Sequence, residues 1–458
     1  MKQPLNDRIQ IRQCRKPAMS TNDEATGRKR ACIGQGRPIK MRQMQALLTS
    51  QRGVSGEWKL EMKSNPQHPI AIMGLPLNSS TADEAVEAME RMILSGGTHQ
   101  VCPVNLDVWL NSLADAHLHR IMAGCSLVVP DGMPLVWASG LLGCKVAERV
   151  TGVDLVPRLA ELSARKGYGI FLLGGRPGVG ERAKALLERS YPGTRIVGTF
   201  SPAEENLIRM DHTEILNRIH AARPDVLLVA FGNPKQEKWI WMHRKRLGVP
   251  LAMGVGGSFD ILVGDTRRAP QWIQQCGLEW AMRFVQEPSR LGPRYLRDFM
   301  GLARRLPLAL LAAWMQKSWL GQSRVTTSST PQVLHVYVHG RLGTEVADAL
   351  QQATTASIIN GQVMVVHFQT IQQTTAAGFG VLLSARRQLL EAGLSISLAG
   401  LSLKTRFLLH AWHMQPLFDE WQPAISRGRP LIAELPTAVR IDLVGEQDAL
   451  PAQNRIRG

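Results

Sequence analysis

The sequence predicts an α/β chain: a Rossmann-like, largely parallel sheet with helices on both faces, then an Arg- and Trp-rich helical appendage, then a smaller α/β unit. Three observations predict it. From Ile70 short apolar runs alternate with helical stretches, the pattern of β-α units feeding a parallel sheet. After Arg267 that alternation gives way to helix rich in Trp and Arg. Beyond a Ser/Thr-rich stretch the strand–helix alternation resumes for a shorter span.

Taken in order, residues 1–67 carry no periodicity and are rich in Arg, Lys, Gln and Ser. From Met1 to Pro66 there are 14 Lys/Arg against 5 Asp/Glu, about half of the chain's formal charge of +17. Such a composition predicts a basic, disordered tail. The core is predicted over 68–265, with strands IAIMGL (70–75), QVCPV (100–104), SLVVP (126–130), GIFLLGG (169–175), TRIVGTF (194–200), DVLLVAFG (225–232) and PLAMGVG (250–256). Between the first two, Thr81-Ala-Asp-Glu84 reads as a capping box, apolar residues follow at helical spacing, and Gly96-Gly97 ends the helix. ERAKALLERS and TEILNRIHAA are further helices.

The appendage is predicted over 266–320. Its last apolar piece, PLALLAAWMQKSWL, has about a dozen apolar residues, too few to span a bilayer but enough to lie on one. Residues 321–332 are predicted as a linker, 333–424 as the second unit and 425–458 as a tail of little signal. In the second unit VLHVYVHGRL, QVMVVHF and SISLAGL read as strands, AAGFGVLLSARRQLLEAG and SLKTRFLLHAWHM as helices.

Several function classes are disfavoured at once. The six cysteines are scattered without a C-x-x-C pair, against a disulfide framework or zinc site. No signal-peptide core and no run of about 18 apolar residues occurs, which predicts a cytoplasmic chain that does not cross a membrane. Trp272, Trp280, Trp314 and Trp319 could stack bases, but no nucleic-acid-binding motif accompanies them.

Ligands of open parallel sheets bind outside the carboxyl ends of the strands. In LVVPDGMPLVW, Asp131 ends a strand and Gly132 opens a helix, so the carboxylate would project into that crevice; taken alone it could equally be a turn or cap residue. Asn105 follows QVCPV, and Arg149-Val-Thr151-Gly152 precedes another helix. GGRPGVG (174–180), beginning at Gly174-Gly175, would turn backbone amides toward phosphate. Gly178-Val-Gly180-Glu-Arg-Ala183 formally satisfies a dinucleotide fingerprint, but the strand ends at Gly174-Gly175 and the carboxylates that would serve it, Glu204 and Glu205, come after a Ser-Pro. In GNPKQEKWI, Asn233 suits a cap, Pro234 the first turn, and Lys235 and Gln236 the approach of a diphosphate or sugar. GVGGSFDILVG adds glycines and Asp260, an acceptor for a ribose hydroxyl or base edge.

In this order, VNLDVW, VVPDGMPLV, RVTGVDL, FLLGG, VAFGNPKQEKWI, GVGGSFDILVG, RAPQWIQQCGLEW and RFVQEPSR resemble the WecG/TagA/CpsF glycosyltransferases over about residues 68 to 306. The resemblance implies an inverting, metal-independent transfer, needing no cofactor, from a UDP-sugar to a polyprenyl-diphosphate-linked sugar. The setting it implies is surface or exopolysaccharide synthesis, peripheral on the inner face of the cytoplasmic membrane. Asp131 falls in the family's P-D-G motif, whose aspartate is the general base. By the same carry-over Asn105 and Arg149 line the acceptor pocket, Gln236 contacts donor or sugar, and Asp260 holds the nucleoside; Gly174, Gly175 and Lys235 are assigned to the donor from their own loops. The family's appendage arginines, which meet the lipid diphosphate, fall on Arg283 and Arg290; the third falls on Pro293, with Arg294 beside it. A threonine frequent two residues before Asn105 is replaced by Pro103.

The residue chemistry agrees with that assignment. An inverting transfer needs one carboxylate to take the acceptor's proton, and with no D-x-D pair the departing diphosphate falls to helix N-termini and basic side chains.

The second unit resembles a STAS domain through VYVHGRL, HFQTIQQTTAAGFGVLLSARRQLLEAG and SISLAGLSLKTRFLLHAWHMQPLF. Where phospho-regulated members carry a D-S-S-G or D-S-T-G loop, this chain has Thr375-Ala376-Ala377-Gly378, so the acceptor serine is missing. A docking module for a partner protein or for self-association is the expectation. From another class, the chain could be a degenerate transferase that acts as a scaffold presenting this unit; the presence of Asp131, Gln236 and Asp260 argues against it.

Overall fold

The computed structural model describes residues 68–421, except 145, 204, 267, 271–272, 275–277 and 317–320 and the side chains of Arg283 and Arg290. The tails expected over 1–67 and 425–458 lie outside the described residues. The described cysteines, Cys102, Cys125 and Cys144, are free thiols.

The sheet that organises the first part has six parallel strands in the order β4-β3-β8-β7-β5-β6. They are β3 (His99–Val104), β4 (Leu127–Pro130), β5 (Gly169–Gly174), β6 (Arg195–Phe200), β7 (Val226–Ala230) and β8 (Leu251–Gly254). Side chains alternate across it, as the two-residue period of a strand requires. Ile170 and Leu172 of β5 pack on one face, with Leu155 and Leu159 of α5 (Gly152–Lys166) and Ala85 and Met89 of α1 (Ala82–Ser95). Phe171 and Leu173 pack on the other, with Ile215 of α7 (His212–Ala222) and Trp239 of α8 (Lys235–Leu247). The predicted capping box of α1 is present, Thr81 and Glu84 each bonding the other's backbone amide. The remaining helices of this part are α2 (Leu106–Ala114), α3 (Ala116–Ala123), α4 (Met133–Leu141), α6 (Val179–Ser190) and α9 (Ser258–Leu262).

IAIMGL is not a strand of this sheet. It is split into an antiparallel hairpin, β1 (Ile70–Ile72) and β2 (Leu75–Leu77), by a turn at Met73 and Gly74 with φ of 47° and 79°. Two consecutive left-handed residues are what a tight hairpin turn demands.

The appendage comprises α10 (Glu279–Gln286) and the long α11 (Pro288–Trp314). No described helix is long and apolar enough to cross a membrane.

The second sheet is mixed. Strand β10 (Val333–Leu342) runs parallel to β11 (Val363–His367) and to β12 (Ile371–Thr374), and β11 pairs with β13 (Ile396–Ala399), itself beside the short β14 (Asp419–Glu420). The stretch expected as a linker corrects to a strand: β9 (Arg324–Ser329) pairs antiparallel with β10, its β-branched Val325, Thr326 and Thr327 completing an edge that β10 would otherwise leave open. Helices α12 (Ala347–Asn360), α13 (Ala376–Glu391) and α14 (Leu403–Ala411) accompany the sheet.

The two sheets share one hydrophobic core. Ala71, Ile72 and Leu75 of the hairpin, Leu118 and Met122 of α3, Val336 and Val366 of the second sheet, and Phe379 and Trp412 form a single buried cluster. Polar bonds cross the same boundary, from Arg120 Nε to the Pro416 carbonyl at 3.2 Å and from Arg387 Nη1 to the Ser126 carbonyl at 3.3 Å.

Candidate functional site

At the carboxyl ends of four adjacent strands, β4, β3, β8 and β7, lies a cavity of about 490 Å3. Its wall includes Asn105, Asp131, Arg149, Gln236, Gly254–Gly257 and Arg294, so the loops after all four strands meet there with the appendage.

Asp131 follows β4 directly. Its backbone N–H donates to the Val104 carbonyl at 2.8 Å, which ties the loop to β3. The N-cap of α4 is Gly132, one residue beyond Asp131. Asp131 is half-buried and lines the cavity. Asn105 is a helix cap: its Oδ1 accepts from the Val108 amide at 3.0 Å at the start of α2.

Arg149 lies in a loop whose next residue, Val150, donates to the Pro130 carbonyl at 2.9 Å. Its guanidinium donates to Glu279 Oε2 at 2.7 Å, which joins the loop to the first turn of α10. Glu279 is 7% exposed, and Arg268, held by two bonds to Asp154, approaches it at 4.0 Å. The appendage also supplies Trp280, Tyr295, Asp298 and Phe299 to the cavity, with Trp280 edge-on to Phe299 at 5.7 Å between ring centres. Asp298 is buried, and burial pushes its carboxyl up to about 6; the Asp107 charge adds to this and Arg294 and Arg297 oppose it. Arg297 donates to Asp107 at 2.9 Å, fastening α11 to α2.

Gln236 is buried at the start of α8, where its Oε1 accepts from the Gly256 amide at 3.0 Å. A methyl at Gly254 would stand 2.6 Å from the Gln236 amide nitrogen and would push that side chain aside. Asn233 does not cap α8 as its sequence position suggested; its side chain turns to Asn111 and Glu237 instead.

The other predicted donor residues do not line this cavity. Gly174 ends β5, one strand further out, and Gly175 follows it; a side chain at Gly174 would collide with the Ala230 carbonyl at 2.8 Å. The Lys235 amine donates to the Glu205 carbonyl and lies 5.3 Å from the centre of the Phe231 ring. Asp260 is held by Arg176 through bonds of 2.9 and 2.7 Å. The side chains of Arg283 and Arg290 lie outside the described residues. Sequence reasoning missed Glu237, Glu279 and Asp298: each sits on a helix rich in charge, where nothing in the local pattern separates an inward carboxylate from a solvated one.

Among the described residues no group of three or more His, Cys, Asp or Glu is arranged to hold a metal ion.

The model of the glycosyl transferase WecG/TagA/CpsF family matches residues 70–319. A protein of Bacillus subtilis (strain 168), named N-acetylglucosaminyldiphosphoundecaprenol N-acetyl-beta-D-mannosaminyltransferase, is 27% identical over 48% of this chain and 84% of its own length. A protein of the same name from Staphylococcus aureus (strain MRSA252) is 27% identical over 51% of this chain and 90% of its own. Among solved structures, the Bacillus cell fate determinant SpoIIAA in its phosphorylated form is 15% identical over 21% of this chain and 91% of its own, with a TM-score of 0.19.

Proposed function

The chain belongs to the WecG/TagA/CpsF glycosyl transferase family, and from that membership we propose that it moves a sugar from a UDP-sugar to a polyprenyl-diphosphate-linked sugar, with inversion, in the synthesis of a surface polysaccharide. The observation that carries the reading is the cavity that Asp131, Arg149 and Gln236 line together with Arg294 of the appendage. The named relatives act on N-acetylglucosaminyl-diphospho-undecaprenol, which makes that lipid the first acceptor to offer.

In the proposed step Asp131 accepts the proton of the acceptor hydroxyl as its oxygen bonds to the anomeric carbon. The bond from that carbon to the UDP oxygen breaks on the opposite face, and UDP leaves with the electron pair. Arg149 lines the acceptor side of the cavity and Arg294 meets the diphosphate charge, so no divalent ion is invoked. Buried amides such as Gln236 orient sugar hydroxyls. Leu296, Phe299, Met300 and Trp314 leave an apolar, partly exposed strip on α11, Trp314 being 82% exposed. That strip fits a peripheral seat on the inner face of the cytoplasmic membrane, beside the lipid diphosphate.

The direct test is incubation with UDP-N-acetylmannosamine and a polyprenyl-diphosphate-linked N-acetylglucosamine. Equimolar UDP and a disaccharide lipid are expected. No turnover with that donor or with any other UDP-sugar supplied would sink the reading.

A further inference from the structure

One carboxylate beside the cavity has no part in that step. Glu237, in the first turn of α8, is 2% exposed. Its Oε1 accepts from Gln236 Nε2 at 2.8 Å and its Oε2 from Asn233 Nδ2 at 3.0 Å. Gln236 and Asn233 line the cavity; Glu237 stands behind them. Both amides are also held at their oxygens, Gln236 Oε1 by the Gly256 amide at 3.0 Å and Asn233 Oδ1 by Asn111 Nδ2 at 3.2 Å. The helix turn itself is fixed by Gln100, which donates to the Glu237 carbonyl at 3.2 Å.

An ionised carboxylate only accepts hydrogen bonds, whereas a carboxamide has one end that donates and one that accepts. A carboxylate between two amides therefore forces both to turn their NH2 groups toward it. Each NH2 then keeps one N–H, in a fixed direction, for a ligand. No basic side chain is among the groups acting on the Glu237 carboxyl, and burial pushes it up to about 7, so the acceptor-only arrangement is that of the ionised form, which prevails above that pH. A buried carboxylate without a cation works against folding, so stability does not account for it.

We infer that Glu237 is a positioning residue for sugar transfer, its two oxygens fixing the carboxamides of Asn233 and Gln236 so that their remaining N–H donors face sugar oxygens in the cavity. The inference rests on the transferase reading of the same site. The substitution that tests it is Glu237→Gln, which keeps the shape but puts a donor opposite one of the two amides.

The variant is expected to fold, with an unchanged circular dichroism spectrum. KM for the UDP-sugar or for the lipid acceptor should rise about tenfold while kcat changes less, the pattern of a lost binding contact. Values within twofold of wild type would overturn the inference, and so would a loss of activity that merely follows a loss of folded protein. A crystal structure of the variant gives a readout that needs no substrate. One of the two contacts, 236–237 or 233–237, must break, or the amide facing the new NH2 must turn and disturb its own bond to the Gly256 amide or to Asn111; an array unchanged on both sides overturns the inference. Absence of transfer by the wild type would instead count against the transferase reading, and the crystal structure would still decide the role of Glu237.

Discussion

Gly380 lies inside α13, where replacing glycine by alanine ordinarily stabilises a helix by about 1 kcal/mol. Here the opposite sign is expected. A methyl built on Gly380 overlaps the Pro69 carbonyl oxygen and lies 2.6 Å from the Pro69 carbonyl carbon and 3.2 Å from Ile70 Cα. All three are backbone atoms at the foot of the β1-β2 hairpin, so no side chain can rotate away and the hairpin must lift. Overpacking of this kind costs about 1–3 kcal/mol. Lifting the hairpin also loosens Ala71, Ile72, Met73, Leu75 and Leu77, all fully buried, and re-exposing a single Ile or Leu loses about 1.5–3 kcal/mol. The clash therefore outweighs the helix term, and Gly380→Ala should destabilise by about 2 kcal/mol or more. Gly140, inside α4 with nothing within 4 Å of a built methyl, supplies the control: Gly140→Ala should be neutral or stabilising. Thermal and urea melts of the two variants beside wild type read the contrast. A Gly380→Ala midpoint at or above wild type would refute the claim that the hairpin seats the first part of the chain on the second.

Three further outcomes follow from other contacts. Removing Glu279 from its buried pair with Arg149 should destabilise by about 3–5 kcal/mol, since it takes away the buried guanidinium's ion-pair partner, and Arg149→Ala with Glu279→Ala should cost less than the sum of the singles; additivity in that cycle would contradict direct coupling. His243 is buried, and burial pushes its pKa down to about 4, with the His212 and Arg246 charges adding to the effect. The unfolded chain thus takes the proton first, so this contribution is complete above about pH 6.5 and lost as pH falls toward 4, by up to about 3 kcal/mol. His243→Phe should show a smaller stability loss than wild type between pH 7 and pH 4, and equal losses would contradict the assignment. On α11, Leu296→Ser with Trp314→Ser should weaken binding to anionic liposomes without lowering the melting temperature, and unchanged binding would count against the membrane seat.

The parallel core was legible because buried strands read as short continuous apolar runs, and β3, β4, β5, β7 and β8 fall on such runs in order, while the edge strand β6 is only partly buried. The same signal misled at Ile70–Leu75. A continuous run cannot disclose that Met73 and Gly74 take left-handed conformations, so a hairpin read as one strand. Helix α12 escaped notice because its buried positions are small or polar, Ala347, Ala353, Thr354 and Ser357, with Leu350 the one large apolar side chain among them. At the site, Asp131, Asn105 and Gln236 were legible as polar residues past strand ends, and Arg149 as a polar residue in the loop before a helix. Arg294 was named only as a neighbour of an expected position, and it lines the cavity. Asp260 and Lys235 were read from the same kind of loop, yet their side chains pair with Arg176 and with the Glu205 carbonyl away from the cavity wall. Spacing locates a loop at a strand end; which way a side chain turns depends on partners distant in sequence. The second unit shows the same limit. Thr375, in the loop where a phospho-acceptor was sought, caps α13, while Thr374 is buried and donates its hydroxyl to Gln316 at 2.8 Å.

The most direct measurement is the rate of UDP release by Asp131→Asn in the presence of donor and lipid acceptor, with folding and donor binding checked alongside. Loss of a positioned general base predicts a fall of about 100-fold or more with melting temperature and donor binding retained. Turnover within a few-fold of wild type would show that some other group takes the proton.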